Sequence, residues 1–182
     1  MRLFVGIPLP DASIAELTAV VRRFRSDDVG LRWPEPESWH VTLQFLGNTG
    51  QEQCTCVVER LRQLHLPAVP IELDELGTFE RAGVFIVTVR PTYGLVLLQK
   101  QVTAATRRCG FVPESRPYLP HITLARSKGN RRGQELRALQ AKLQRPHTFT
   151  RFAAEEFVLY ESFLGPGGSR YEIRQRFSLD GR

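Results

Sequence analysis

The sequence predicts an α+β fold made of two similar halves, a bilobal, pseudo-twofold arrangement of two antiparallel sheets flanked by helices around a central cleft. Two observations support this prediction. The pattern His-X-Thr-Leu occurs twice, at residues 40–43 and 121–124. Around both copies the hydrophobic periodicity indicates the same order of elements, namely a helix, a turn-rich approach, a motif strand, another helix and further strands.

The first half begins with a strand and a helix and carries the first motif strand. Asp11-Ala12-Ser13 is a good helix start, and Gly47-Asn48 marks the end of the motif strand. In chain order, the predicted elements are a strand over 3–7, a helix over 11–25, a turn-rich approach over 31–36, the motif strand over 39–46, a helix over 52–64, and strands over 71–79 and 84–89.

The second half repeats this order around the second motif. Its predicted elements are a helix over 95–109, a proline-rich approach over 113–120, the motif strand over 121–125, a helix over 134–144, and strands over 149–160 and 171–177, the last two joined by a glycine-rich turn over 165–168. No low-complexity linker separates the halves. Residues 1–182 are therefore expected to form one two-lobed domain.

Each motif has the alternation of a half-buried strand, in which successive side chains point to opposite faces. His40 and Thr42 therefore share one face, and the aliphatic residues of the motif share the other. The second copy places His121 and Thr123 in the same way. Two such strands can present two imidazoles to one cleft, and two imidazoles are what a general acid and a general base need near neutral pH.

Composition limits the class of protein and its partners. The chain has 182 residues, 25 Lys and Arg against 19 Asp and Glu, and a formal net charge of +6. This balance favours anionic partners, either nucleic acid or a phosphorylated small molecule. No apolar run approaches the roughly 20 residues of a membrane helix. We therefore expect a soluble, cytoplasmic protein without a membrane partner, and a monomer as the default for a two-lobed cleft.

The three cysteines, Cys54, Cys56 and Cys109, have no recognisable zinc-binding spacing. Cys54 and Cys56 lie two residues apart in a helical pattern, so their side chains point in different directions. Free thiols in a reducing compartment are expected. Both motif strands lack Asp and Glu, so their histidines have no carboxylate companions for a metal. Neither a metal nor another cofactor is expected.

The motifs and their surroundings resemble the two-histidine (2H) phosphoesterases, and among them the RNA 2′,3′-cyclic phosphodiesterases, historically called 2′-5′ RNA ligases. The resemblance covers nearly the whole chain and shows no departure at a motif position. It is carried by the opening strand Arg2–Ile7, by Arg32-Trp33, by the first motif and its flanks over Trp39–Gly47, by the second over Pro120–Arg126, and by a closing hairpin with Leu159–Ser162 and Tyr171.

The resemblance implies a reaction and a set of site residues. Members of this family open a ribose 2′,3′-cyclic phosphate at the 3′ oxygen and leave a 2′-phosphate without using a metal. Some also join or cleave 2′-5′ RNA linkages, weakly and reversibly. For this chain we assign His40 as the general acid for the departing 3′ oxygen and His121 as the general base for water, although the pseudo-twofold arrangement makes the two roles exchangeable in principle. The partner implied is an RNA end carrying a 2′,3′-cyclic phosphate, including ends derived from tRNA.

Three further residues are expected to bind the phosphate. The hydroxyls of Thr42 and Thr123 share the strand faces of the histidines, about 7 Å further along each strand. The resemblance adds Arg126, although simple alternation places it on the face opposite His121. Arg126 can reach the phosphate if its strand bulges or ends nearby.

Four aromatic residues lie in or beside the motifs. Trp33 and Tyr118, in the approach segments, are candidates for stacking on a nucleobase. Trp39 and Phe45 are expected to be buried, because Trp39 alternates with His40 and Phe45 shares a face with the aliphatic residues of the motif.

Two other functions stay open on the sequence alone. A cyclic phosphodiesterase that acts on a small nucleotide, such as ADP-ribose cyclic phosphate, or on 2′-5′ oligoadenylates would use the same motifs, because these contact phosphate and not the rest of the substrate. A non-catalytic RNA-binding module would explain the positive charge but not the two matched His/Thr strands. Such a module would bind RNA with a steep salt dependence and no turnover.

Overall fold

The computed structural model describes residues 1–25, 30–128, 134–143, 147–165 and 168–181. Within these ranges the chain forms four α-helices and ten β-strands. The helices are α1 (Asp11–Val21), α2 (Gln51–Leu61), α3 (Tyr93–Arg107) and α4 (Gln134–Lys142). The strands are β1 (Arg2–Pro8), β2 (Leu31–Arg32), β3 (His40–Asn48), β4 (Val69–Ile71), β5 (Leu73–Phe79), β6 (Val84–Val89), β7 (His121–Ser127), β8 (Phe152–Ala154), β9 (Glu156–Gly165) and β10 (Gly168–Ser178). None of the helices in these ranges combines the length and hydropathy needed to span a lipid bilayer.

Two four-stranded antiparallel sheets form the framework, and each contains one motif strand. The first sheet has the order β10–β9–β1–β3 and the second the order β2–β7–β6–β5, while a small third sheet pairs β4 with β8. The motif strands β3 and β7 contact each other, so the two large sheets meet at their motifs. This arrangement confirms the predicted α+β fold with two antiparallel sheets.

The aliphatic residues of both motifs lie in one hydrophobic core that joins the sheets. Val41, Leu43, Ile122 and Leu124 are all at most 2% exposed and belong to the same cluster of buried side chains. Burial of such a side chain contributes about 1.5–3 kcal/mol. A one-residue slip of either strand would expose these side chains, so their burial determines which face carries the histidines.

Two predicted strands are each divided in the structure. The strand predicted over 71–79 is β4 followed by β5, and the strand predicted over 149–160 is β8 followed by β9. In each case the chain changes its pairing partner at the break, which hydrophobic periodicity does not reveal. Residues 144 and 166–167, predicted to lie in a helix and in a turn, are outside the described residues.

Each motif strand contains a β-bulge at the leucine of its motif. The pairing of β3 with β1 skips Leu43, and the pairing of β7 with β6 skips Leu124. An extra residue reverses the alternation beyond it. Gln44 and Ala125 are therefore buried, at 8% and 0% exposed, and the residue after each turns back to the face of the histidines.

These bulges bring Phe45 and Arg126 to the cleft. Phe45 is 67% exposed, so the prediction that it is buried is wrong, because that prediction assumed an unbulged strand. Arg126 lines the same cleft as His121 and Thr123, which meets the condition that the sequence set for its contact with phosphate. Trp39 is 3% exposed and lies in the core, as predicted.

A disulfide between Cys56 and Cys109 joins α2 to the segment just after α3. The prediction of free thiols is wrong for these two residues, whereas Cys54 is free and buried. Helix geometry did separate the directions of Cys54 and Cys56. Sequence spacing could not show that α2 packs against α3, which brings the Cα atoms of Cys56 and Cys109 to 5.8 Å, a normal separation for a disulfide.

Candidate active site

The two motif histidines are held in the same way. His40 Nδ1 lies 2.7 Å from the carbonyl oxygen of Ser38, and His121 Nδ1 lies 2.7 Å from the carbonyl oxygen of Leu119. A carbonyl oxygen only accepts, so each Nδ1 donates its proton to the backbone. This bond selects the tautomer whose Nε2 is left to accept or give a proton.

The threonines follow the histidines on the same strand faces. Thr42 and Thr123 are half-buried and line one cleft together with His40 and His121. Because β3 and β7 contact each other, the two His/Thr pairs converge on this cleft from opposite sheets. The hydroxyl groups of both threonines can donate to an anion placed between the imidazoles.

His40 is enclosed by aromatic rings. The ring centroids of Phe4, Tyr171 and Tyr160 lie 4.7, 5.2 and 5.4 Å from the centroid of its imidazole. On the neighbouring strand, a Cβ at Gly6 would lie 3.1 Å from the Val41 carbonyl oxygen and 3.5 Å from His40 Cδ2. Glycine at this position therefore lets β1 pass close beside the imidazole.

Burial lowers the pKa of His40 from its ordinary value of 6.5 to about 4. The hydrogen bond to the Ser38 carbonyl acts in the other direction, while the positive charge of Arg126 and the neighbouring His121 lower the pKa further. His40 is therefore neutral near pH 7 in the free protein. His121 packs edge-on against Phe79, with ring centroids 5.1 Å apart.

Tyr118 connects the two motifs. Its hydroxyl donates to the Thr42 carbonyl oxygen at 3.0 Å, which ties the approach to the second motif to the first motif strand. Burial raises the pKa of Tyr118 well above its ordinary value, so the phenol stays protonated. Tyr118 also lines the cleft, whereas Trp33 is not among the lining residues and packs edge-on against Phe85. The structure thus brings Tyr118 to the site and does not bring Trp33 there.

The cleft is large, and most of the charged side chains that line it are cationic. Its volume is about 1750 Å³, and its walls are the two motif strands, one face of α3 and the segment 112–119. Six Lys and Arg side chains line it against one Glu, and these are Arg81, Lys100, Arg107, Arg108, Arg116, Arg126 and Glu114. In the part of the chain that the structure describes, no group of three or more His, Cys, Asp or Glu side chains is placed to hold a metal ion.

Sequence reasoning missed Phe45, the α3 face and Tyr171 as residues of this cleft. A signal for Phe45 was present, because aligning residues 40–45 with 121–126 pairs it with Arg126. A signal for α3 was the absence of any Asp or Glu over Tyr93–Arg107. Tyr171 carried no signal of this kind, because its contact with His40 depends on the pairing of β10 with β9.

Two sheets that turn matched His-X-Thr strands toward one cleft are the arrangement expected of a two-histidine phosphoesterase. The sequence profile of the 2′-5′ RNA ligase superfamily matches residues 9–163, and the chain belongs to this superfamily.

Relatives with an assigned activity match this chain over nearly its full length. The chain is 30% identical over 186 residues to an RNA 2′,3′-cyclic phosphodiesterase of Escherichia coli, which covers 98% of this chain and 96% of that protein. It is 29% identical over 175 residues to an RNA 2′,3′-cyclic phosphodiesterase of Methanocaldococcus jannaschii, with coverage of 95% and 98%.

Solved structures show the same fold. Escherichia coli LigT complexed with 3′-AMP aligns with a TM-score of 0.80 at 27% identity, covering 98% of this chain and 97% of that chain. A protein of Thermus thermophilus aligns with a TM-score of 0.81 at 26% identity, with coverage of 100% and 99%.

Proposed function

We propose that this protein hydrolyses RNA 2′,3′-cyclic phosphate ends to 2′-phosphates by acid–base catalysis between His40 and His121, without a metal. The observation that carries this proposal is the matched pair of imidazoles in a cleft lined by cations, each with Nδ1 bonded to a backbone carbonyl and with no hydrogen bond to Nε2 from the described residues. The names of the relatives and the complex of LigT with 3′-AMP support the choice of substrate. Weak, reversible 2′-5′ RNA ligation is the same chemistry with a ribose hydroxyl in place of water.

The different surroundings of the two histidines favour a division of roles opposite to the one expected from the sequence. A general base must be neutral before the reaction, and His40 is neutral because burial lowers its pKa. In this scheme His40 Nε2 takes a proton from water as the water oxygen bonds to phosphorus. The bond from phosphorus to the 3′ oxygen breaks, and His121 Nε2 gives that oxygen its proton.

The same geometry supports the proposed phosphate-binding roles of Thr42, Thr123 and Arg126. Negative charge on the non-bridging oxygens is stabilised by donors that are already in place before the reaction. Two hydroxyls and one guanidinium line the cleft beside the imidazoles, and the guanidinium can donate to two oxygens of one phosphate.

The assignment of His40 as the base predicts the acidic side of the pH profile. Because the neutral form is active and the pKa of His40 is lowered to about 4, kcat/KM should fall only as the pH drops through about 4. The quantity to measure is kcat/KM from pH 3.5 to 8, since it reports groups of the free enzyme, with circular dichroism at each pH to show that the chain is folded. A kcat/KM that still rises as the pH falls through about 4 would show that protonated His40 is the active form, which reverses the roles.

Phe45 replaces Trp33 as a stacking candidate beside Tyr118. Its ring is exposed within the cleft and occupies the position in the first motif that Arg126 occupies in the second. Base–aromatic stacking contributes about 1–3 kcal/mol. Phe45→Ala is therefore expected to raise KM by about tenfold with a smaller change in kcat. Phe45→Tyr keeps an aromatic ring and is expected to have a KM close to that of the wild type. Steady-state kinetics on a cytidine and an adenosine cyclic phosphate would measure this, and an unchanged KM of Phe45→Ala for both substrates would remove Phe45 from the site.

The proposed function is tested by incubating the protein in EDTA with an RNA that ends in a 2′,3′-cyclic phosphate. The expected result is turnover to a phosphomonoester end that EDTA does not reduce, whereas a strict metal requirement would contradict the mechanism. Turnover confined to small cyclic nucleotides or 2′-5′ oligoadenylates would support the proposed chemistry but contradict the proposed RNA substrate. Salt-sensitive RNA binding without turnover would identify a binding module.

The monomeric state, the cytoplasmic location and a tRNA origin of the RNA ends stay predictions. The Cys56–Cys109 disulfide bears on the location, because disulfides persist mainly in oxidising compartments. Intracellular proteins of hyperthermophiles are an exception to that rule. Thiol labelling of the protein isolated from its own cells under acid-quenched conditions would measure whether this bond forms there.

A further inference from the structure

The cleft extends well beyond the catalytic pair, along one face of helix α3. The lining residues of this helix recur at intervals of three and four, which is the spacing of a single helix face. They are Val96, Gln99, Lys100, Thr103, Ala104 and Arg107, and Arg108, which also lines the cleft, follows directly after the end of the helix. None of them belongs to a His-X-Thr motif, so the acid–base mechanism leaves this face without a role.

This α3 face carries positive charge that the protein does not neutralise. Lys100, Arg107 and Arg108 are exposed, and none forms an ion pair with the described residues. Elsewhere on the surface Arg90 and Arg174 are paired with carboxylates. Helix α3 itself contains no Asp or Glu. A concave surface lined by unpaired cations concentrates anions.

The dimensions fit a short length of polymer better than a single nucleotide. Pockets for drug-sized ligands enclose about 300–1,000 Å³, and this cleft encloses about 1750 Å³. Lys100 and Arg107 are seven residues apart, which is about 10 Å along the helix axis. A stacked nucleic-acid strand carries one phosphate about every 3.4 Å, so the two cations span about three nucleotides.

The face is fixed relative to the catalytic strand. Thr106 on α3 donates from Oγ1 to Gln44 Oε1 at 2.7 Å, and this buried bond joins α3 to β3 two residues past Thr42. The Cys56–Cys109 disulfide holds the end of α3 against α2. The distance from the catalytic pair to the cations of α3 is therefore set by the folded structure.

We infer that the α3 face and the segment 112–119 form a groove for single-stranded RNA, which binds the two or three nucleotides on the 5′ side of the cyclic phosphate. Lys100, Arg107 and Arg108 neutralise their phosphates, and the exposed side chains of Val112 and Leu119 offer apolar surface to their bases. This inference rests on the proposed function and extends it, because it makes an oligonucleotide a better substrate than a cyclic mononucleotide.

The test varies both the length of the substrate and the positive charge on the α3 face. Cyclic phosphates of one, two, four and eight nucleotides are assayed with the wild type and with the triple variant Lys100→Gln, Arg107→Gln, Arg108→Gln. The matched control is Arg22→Gln, Arg23→Gln, Arg25→Gln, which removes three exposed cations that do not line the cleft. Binding of an eight-nucleotide RNA ending in a 2′-phosphate, followed by fluorescence anisotropy, is measured for all three proteins.

The wild-type kcat/KM is expected to rise at least about tenfold from one to four nucleotides and then to level off. The α3 variant should lose that gain, with a loss on four nucleotides at least about tenfold and much larger than its loss on one. Its slope of log kcat/KM against log salt should be shallower by about 2, since each single-strand phosphate contact contributes about 0.7. The control variant should follow the wild type.

Three results would overturn the groove. These are a wild-type rate that is independent of length, equal losses by the α3 variant at every length, and an equal loss by the control variant. Failure of the proposed function has a different signature, namely no turnover by the wild type at any length. In that case the anisotropy measurement tests the groove without turnover. If the α3 variant binds the eight-nucleotide RNA as tightly as the control variant does, the inferred groove is wrong.

Discussion

Replacing either cleft histidine by alanine is expected to lower kcat/KM for hydrolysis of an RNA 2′,3′-cyclic phosphate by at least about 100-fold, because a positioned general acid or base typically contributes about 10²–10⁴ in rate. Each imidazole has its Nδ1 bonded to a backbone carbonyl, which leaves Nε2 as the nitrogen for the proposed proton transfer. In the proposed scheme, loss of His40 removes the proton acceptor for water, and loss of His121 removes the proton donor for the 3′ oxygen.

The control for these variants is His65→Ala, because His65 is an exposed histidine that does not line the cleft. It should keep the wild-type rate. Thermal unfolding of all three variants separates lost catalysis from lost structure. Near-wild-type turnover by either His40→Ala or His121→Ala, in a preparation shown to be free of nuclease, would contradict the two-histidine mechanism.

Arg126→Ala is expected to lower kcat/KM by about 10- to 100-fold. Hydrogen bonds to charged groups contribute about 1.5–3 kcal/mol, and Arg126 reaches the cleft because the bulge at Leu124 turns it to the face of His121. Arg126→Lys keeps the charge but loses the forked donor geometry, so it should recover only part of the rate. Initial rates at low substrate concentration measure kcat/KM directly.

Arg32→Ala is the matched control for Arg126, since Arg32 lies directly opposite Arg126 on β2 and is exposed but does not line the cleft. It should change kcat/KM by less than about threefold, as expected for a screened surface charge. If the Arg32 and Arg126 variants lose activity equally, Arg126 acts through the overall positive charge of the surface and not through a direct contact with the phosphate.

The fold could be predicted from the sequence because its information is local and repeated. Alternation over residues 40–43 and 121–124 specifies a strand, its buried face and its exposed face, and the aliphatic pairs are buried in the structure as that alternation requires. The order of elements around the two copies then indicates two related lobes. The sequence also predicted His40 and His121 in one cleft, because their strands occupy equivalent positions in the two lobes.

The remaining features depend on interactions between elements distant in sequence. The bulges at Leu43 and Leu124 are visible only in the pairing with β1 and β6, so alternation misplaced Phe45. The aromatic enclosure of His40 is built from β1, β9 and β10, and burial is what separates its pKa from the ordinary value. Two histidines in identical motifs therefore give no sequence signal for which one is the base.

The most direct test of the central claim is the position of the phosphate in the product. An RNA ending in a 2′,3′-cyclic phosphate is converted by the wild type in EDTA, and ³¹P NMR of the isolated product distinguishes 2′- from 3′-phosphomonoesters. The proposed mechanism predicts a 2′-phosphate alone, formed at least about 100-fold more slowly by His40→Ala and by His121→Ala. A 3′-phosphate, a mixture of both isomers, or product formation at a near-wild-type rate after loss of either histidine would contradict it.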